Sequence, residues 1–305
     1  MSGDRTARFG RDLPGPSVGP AEAPEYRVAR LQRRLADGAT AELGLRAHFR
    51  GGLVVIAAVG DIHLGAESAG SLRPALERLD ERADVLLLAG DLTRHGSVEE
   101  AEVVAGEVAG LPVPVVAVLG NHDHHAGHPA EVARVLTELG GATVLEGTAT
   151  TVRVGPLRLG IAGTKGFGGG FPGRCGTEFG EEEMKSFIRY SRGPADGLHH
   201  ALTSLETHDL RVALTHFSPV ADTLAGEPPE IHPFLGSYLL AEAIDLAGAD
   251  LAVHGHAHLG CEHGLTAGGV PVRNVARPVL RHAFAVYRLT AHPATSREAV
   301  VAPGS

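Results

Sequence analysis

Short apolar runs in this chain end, one after another, on an Asp, Asn or His. Val54 to Val59 leads into Asp61 and His63, Val85 to Ala89 into Asp91, and Val113 to Leu119 into Asn121, His122 and Asp123. Further on, Arg211 to Thr215 leads into His216, and Leu251 to Val253 into His254, Gly255, His256, Ala257 and His258. Runs of this length and composition read as buried strands. The first three polar landmarks fall at 61, 91 and 121, one β-α-β unit apart. In open α/β sheets functional groups gather at the carboxyl ends of strands, so all five segments are expected to meet on one edge. The fold class is therefore α/β, with helices between strands.

The helices are expected at Arg73 to Arg82, Val98 to Ala109, Pro129 to Leu139 and Phe234 to Ala247, and a hairpin at Thr150 to Val154 with Leu157 to Ala162. Val270 to Val275 and Phe284 to Leu289 read as strands of a second, more antiparallel sheet. The glycine-rich stretch from Gly163 to Gly176 reads as a mobile loop or lid, and its Lys165 as a solvated lysine. Residues 1–50 divide into a Pro- and Gly-rich tail and a short amphipathic helix, Tyr26 to Asp37. The globular domain is expected over 51–292, followed by a tail, 293–305.

Carboxylate, amide oxygen and imidazole are ligands for Mn, Fe, Zn or Co. Asp61, His63, Asp91, Asn121, His216, His256 and His258 make seven such groups, too many for one tetrahedral ion. Two divalent or trivalent ions sharing a bridging carboxylate would use them all, and such a pair suits attack on a phosphate ester. With two cysteines and no C-x-x-C, a thiolate zinc cluster and a disulfide framework are both excluded, and a reducing, cytoplasmic setting is expected. No apolar run reaches the roughly 20 residues of a membrane span, and the first thirty residues hold no apolar signal-peptide core. A formal net charge of −9 and only two lysines argue against a nucleic-acid partner. The one basic ridge, Arg27, Arg30 and Arg34, reads as a solvated helix face. Oligomeric state is left open.

Asp61-Ile62-His63, Gly90-Asp91, Gly120-Asn121-His122-Asp123, Thr215-His216 and Gly255-His256-Ala257-His258 resemble, in order, the five motifs of the calcineurin-like metallophosphoesterases. The resemblance covers about two thirds of the chain. It implies a four-layer α/β/β/α sandwich with two mixed central sheets, and hydrolysis of a small phosphoester by a hydroxide bridging two ions. Carried across by position, it places Asp61, His63 and His258 on one ion, Asn121, His216 and His256 on the other, and Asp91 between them. It also implies that His122 faces the phosphate as the catalytic histidine, with Asp123 fixing its ring. Gly90 to Gly96, followed by Glu99 or Glu100, further resembles the class III cyclic nucleotide phosphodiesterase branch, so small phosphodiesters are the expected substrates. Phosphomonoester hydrolysis, nuclease activity and a non-catalytic scaffold are the alternatives; a scaffold would be expected to have lost some of these ligands.

Two other patterns are discounted. Gly15 to Gly19 matches a nucleophile elbow but lies in the Pro-rich tail with no strand before it. Gly168 to Gly173 matches G-x-G-x-x-G but neither follows a strand directly nor opens a helix. His254 is expected to end a buried strand with its nitrogens satisfied, and the loop residues His95, His124, His125 and His128 to be mostly solvated.

Overall fold

A computed structural model describes residues 52–291, so the expected N-terminal tail and helix and the C-terminal tail lie outside the described residues. Strand β1 (Leu53–Val59) leads through a short helix α1 (Arg73–Leu76) to β2 (Val85–Ala89), helix α2 (Val98–Val108), β3 (Val115–Val118), helix α3 (Pro129–Glu138) and β4 (Thr143–Val144). Next come a hairpin of β5 (Thr148–Val154) and β6 (Leu157–Thr164), a small ribbon of β7 (Gly170–Phe171) and β8 (Arg174–Cys175), and the long helix α4 (Glu182–Thr203). The chain continues through β9 (Leu210–Thr215), helices α5 (His232–Leu235) and α6 (Tyr238–Ala247), β10 (Leu251–His254), β11 (His263–Leu265), β12 (Pro271–Asn274), α7 (Arg277–Leu280) and β13 (Ala285–Thr290).

Two sheets result. The first has the order β13-β1-β2-β3-β4, and the second β11-β12-β10-β9-β6-β5. Strands β1 to β4 run parallel, as do β12, β10, β9 and β6, while β13, β11 and β5 are antiparallel edges. Alternation along β1 shows how the layers stack. Val55, Ala57 and Val59 pack with Val104 of α2 and Val132 and Leu136 of α3. Val54, Ile56 and Ala58 meet Val212, Leu214 and Val253 of the second sheet. The far face of that sheet, through Ala213 and Ala252, is covered by Leu198 and Leu202 of α4 and Leu240 and Ile244 of α6. The four-layer α/β/β/α sandwich is thus borne out, and burial on both faces explains why the strands read as continuous apolar runs.

Helix starts follow their sequence signals. Ser97 caps α2 by accepting a hydrogen bond from the Glu100 N–H at 3.2 Å, and Pro129 opens α3 where its missing N–H costs nothing. Four expectations need correction. The final strand, β13, pairs with β1 in the first sheet and does not join the second. The helix expected over Arg73 to Arg82 stops at Leu76, because Arg78 takes a left-handed conformation with φ 57°. The helix expected over Phe234 to Ala247 is broken at Gly236, where a Cβ would stand 2.0 Å from the Ser218 carbonyl oxygen. The first part of the stretch 163–176 is not an open lid: every residue from Gly163 to Phe171 is buried except the half-buried Phe167, and only 172–175 are exposed. Its glycines serve close packing, as at Gly163, where a Cβ would stand 2.8 Å from Val118. The sequence reading also places nothing between Gly176 and Arg211, where α4 stands; its buried stripe runs through Ile188, Ser191, Ala195, Leu198 and Leu202 at helical spacing but is rich in small residues.

Candidate metal centre

The carboxyl ends of β1, β2 and β3 in the first sheet and of β9 and β10 in the second bring the expected residues to one edge. Two groups form within ligand reach: Asp61, His63, Asp91 and His258, and Asp91, His216 and His256. Asp91 belongs to both. Its Oδ1 lies 3.3 Å from His216 Nε2, while its Oδ2 lies 3.8 Å from His63 Nε2. Asn121 Oδ1 faces His216 Nε2 at 2.9 Å, which joins the amide to the second group.

Backbone conformation at these positions is unusual. Asp61, His63, Asp91 and His256 all have positive φ, between 45° and 71°. Such left-handed residues cost about 1 to 3 kcal/mol each when they are not glycine, and they persist where surrounding structure forces them, most often at functional sites. Nearby glycines permit the crowding. A Cβ on Gly120 would stand 2.1 Å from Asp91 Oδ1, and one on Gly255 2.3 Å from Asp61 Oδ2.

Hydrogen bonds assign the imidazole nitrogens. His216 Nδ1 donates to the Ala89 carbonyl at 2.9 Å, so Nε2 presents a lone pair to the oxygens of Asn121 and Asp91. Acceptors facing one another in this way suit a cation, and this is the fit expected of a metal site. His256 is turned the other way: its Nε2 donates to the Phe234 carbonyl at 3.2 Å, which leaves Nδ1 for the centre. His258 Nε2 lies 2.9 Å from Asp61 Oδ1 and 3.5 Å from His63 Nε2.

Electrostatics agree with that fit. Burial pushes the Asp61 carboxyl up to about 6, with the Asp91 charge adding to it against hydrogen bonds from His258 and His256. Burial holds the imidazoles of His63, His216 and His256 below their usual range, so they stay neutral and able to ligate. His258 is raised instead, chiefly by its hydrogen bond to Asp61. Buried carboxylates beside neutral imidazoles are the donor set that a divalent ion completes.

His122 stands at the same edge with its side chain 44% exposed and Nε2 3.9 Å from Asp91 Oδ2. Its Nδ1 donates to the Arg94 carbonyl at 2.8 Å, which corrects the expectation that Asp123 fixes the ring. Asp123 is fully buried and accepts instead from the N–H groups of Leu92, Thr93 and Gly120 and from the Thr93 hydroxyl at 2.6 Å. It ties the loops after β2 and β3 together, and burial pushes its carboxyl up to about 6. The sequence gives no sign of the part played by the carbonyls of Arg94, Ala89 and Phe234, since a backbone oxygen leaves no residue-type signal. His95 is occupied by Glu100, with Nδ1 3.0 Å from Oε1. His124, half-buried, lines a cavity of about 540 Å³ with Leu119, Ala133, Leu145 and Glu146.

Residues 54–260 match the family described as calcineurin-like phosphoesterase. The chain belongs to that family. Calcineurin-like phosphoesterases use a dinuclear divalent metal centre to hydrolyse phosphoesters, and the Asp and His groups above could hold such ions. Among solved structures, the phosphopantetheinyl hydrolase of Mycobacterium tuberculosis is similar at 16% identity with a TM-score of 0.55, over 83% of this chain and 100% of that one. A Thermus thermophilus protein, TT1561, is similar at 20% identity with a TM-score of 0.48, over 79% of this chain and 100% of that one. The first likeness shows the fold. No curated protein sequence matches the chain significantly. No helix among the described residues is long and apolar enough to cross a membrane.

His254, next to the centre, gives a test of the packing beneath it. It is fully buried, with Nδ1 2.7 Å from the Gly255 carbonyl and Nε2 2.8 Å from Thr223 Oγ1. Burial holds its imidazole down to about 4, against about 6.5 in an unfolded chain. Between these values the unfolded chain takes up a proton that the fold refuses, so stability present above pH 6.5 is lost as pH falls toward 4. His254→Gln is expected to make the pH slope of unfolding free energy shallower by about one proton in that window. Denaturant titrations at several pH values would measure it, and an unchanged slope would contradict the buried neutral imidazole.

Proposed function

We propose that the chain hydrolyses small phosphodiesters, cyclic nucleotides among them, at a centre where Asp61, His63 and His258 hold one ion, Asn121, His216 and His256 another, and Asp91 both. The observation that carries this reading is the double engagement of Asp91, whose two oxygens face the two ligand groups separately. Two ions there would neutralise phosphoryl charge and lower the pKa of water. Nitrogen and oxygen donors without thiolate favour Mn, Fe, Zn or Co. His122 has the placement of a general acid. Its Nδ1 proton is committed to the Arg94 carbonyl, so Nε2 is the atom left to deliver a proton to a departing alkoxide. The partly exposed ring can reload from solvent.

The preference for diesters rests on the Gly90 to Gly96 resemblance. Free thiols at the exposed Cys175 and half-buried Cys261 are in keeping with a cytoplasmic setting. Phosphomonoester hydrolysis is the second reading, and the buried ammonium of Lys165 near Asp91 favours it. Stripping metal should abolish hydrolysis of bis-p-nitrophenyl phosphate, and adding Mn should restore it. The same assay across monoesters, cyclic nucleotides and oligonucleotides orders the substrates. Full activity after exhaustive chelation, with no metal by elemental analysis, would sink the two-ion reading.

A further inference from the structure

Lys165 is one of two lysines in the chain, and it is only 7% exposed. It follows directly on β6, and its carbonyl accepts from the N–H groups of His216 at 3.1 Å and Phe217 at 3.0 Å, so its backbone is tied to the ligand loop after β9. The ammonium donates one hydrogen bond, to the Gly166 carbonyl at 3.0 Å, and lies 5.1 Å from each of the Phe167 and Phe217 ring centroids. The Phe217 ring in turn lies 4.3 Å from that of His256. No carboxylate among the described residues forms an ion pair with it. Glu146, which faces it, already accepts from the Thr164 hydroxyl at 2.5 Å and from the Lys165 backbone N–H at 3.0 Å. The charge of Lys165 is felt at His124 and His216, and Lys165 feels the charge of Glu146 and, less strongly, that of Asp91.

An ammonium has three protons to donate, and two of these have no partner among the described residues. Taking such a charge out of water costs several kcal/mol unless a counter-charge meets it. Two aromatic faces return only a part of that. Cations at the neighbouring ligand groups would make the position worse still. The charge of Glu146 offsets part of this cost, and an anion arriving at the centre would offset the rest.

We propose that Lys165 is a substrate-binding residue that donates a charge-assisted hydrogen bond to a non-bridging phosphoryl oxygen, and that it confers on this centre a capacity for phosphomonoesters beside diesters. This role for Lys165 rests on the phosphoesterase reading above. A monoester dianion carries a charged oxygen where a diester carries an ester link, so the monoester gains more from a third cation.

The test uses the metal-loaded full chain, with Lys165→Gln and with Lys165→Met, which keeps the stem between the two rings should the first variant fold poorly. Metal content should be unchanged and the thermal midpoint no lower than that of the wild-type chain, since the buried charge is removed. Turnover of p-nitrophenyl phosphate, as kcat/KM, should fall about 10²-fold, and that of bis-p-nitrophenyl phosphate less than about 5-fold. Orthophosphate, titrated calorimetrically, should bind at least about tenfold more weakly, with Lys165→Arg recovering part of the loss. Equal losses on both esters, or unchanged orthophosphate affinity in a folded, metal-replete variant, would overturn the proposal. If the wild-type chain hydrolyses neither ester, the phosphoesterase reading falls, while the orthophosphate titration still decides whether Lys165 binds phosphate.

Discussion

Asp91→Ala is expected to remove both ions and to lower turnover of any phosphoester by at least about 10³-fold. The carboxylate is almost fully buried, and it alone contributes an oxygen to each ligand group. Without it the second group keeps two imidazoles and an amide, and the first keeps Asp61 with two imidazoles. Neither remaining set has a shared anion to offset two closely spaced positive charges. Asn121→Ala should behave differently, weakening the ion near His216 and sparing the other. Elemental analysis after dialysis distinguishes the two variants. Two ions per chain retained by Asp91→Ala would show that the carboxylate does not join the sites.

His122→Ala is expected to keep both ions and to lose turnover according to the leaving group. A general acid matters most when the departing oxygen is strongly basic, as in a ribose or alkyl alkoxide. The loss should reach roughly 10² to 10⁴ on alkyl or nucleoside diesters and be distinctly smaller on nitrophenyl esters. The ring donates Nδ1–H to the Arg94 carbonyl, and its backbone N–H donates to Asp91 Oδ1 at 2.8 Å. The substitution keeps the second bond, so the loop after β3 should hold its course. Equal losses on both substrate classes would mean that His122 steadies phosphoryl charge without donating a proton.

The edge was legible in the sequence because a parallel β-α-β chain has little freedom about where its strands end. Asp61, Asp91 and Asn121 each follow a run of Val, Leu and Ala, and parallel pairing of β1, β2 and β3 brings those ends to one side. Spacing said nothing of the nitrogen each imidazole presents. His256, in the loop after β10, turns its Nδ1 inward because Phe234 of α5 offers a carbonyl to Nε2. The same limit explains Asp123, whose neighbourhood with His122 in sequence suggested contact, whereas the carboxylate turns toward three backbone N–H groups and a hydroxyl. Helix α4 escaped notice because Ser191 and Ala195 carry its buried stripe beside fewer large apolar residues than a surface helix normally shows. Lys165 read as solvated since a single lysine in a glycine run gives no hint that Phe217 of a distant strand end closes over it.

Each proposed ion draws on both sheets: Asp61 and His63 from the first with His258 from the second, Asn121 from the first with His216 and His256 from the second. An ion in either place is therefore a cross-link between residues as far apart in the chain as 61 and 258, a separation of 197. Closing a loop of that length costs roughly 5 kcal/mol of chain entropy, which nothing local can return. Strands β1 to β4 with α2 and α3 can assemble from near-neighbour contacts, whereas β13 and the metal edge have to wait for the later strands. Ions held there would bind the folded edge and not the unfolded chain, so they would fasten the two sheets together and their removal would lower the stability of the whole sandwich.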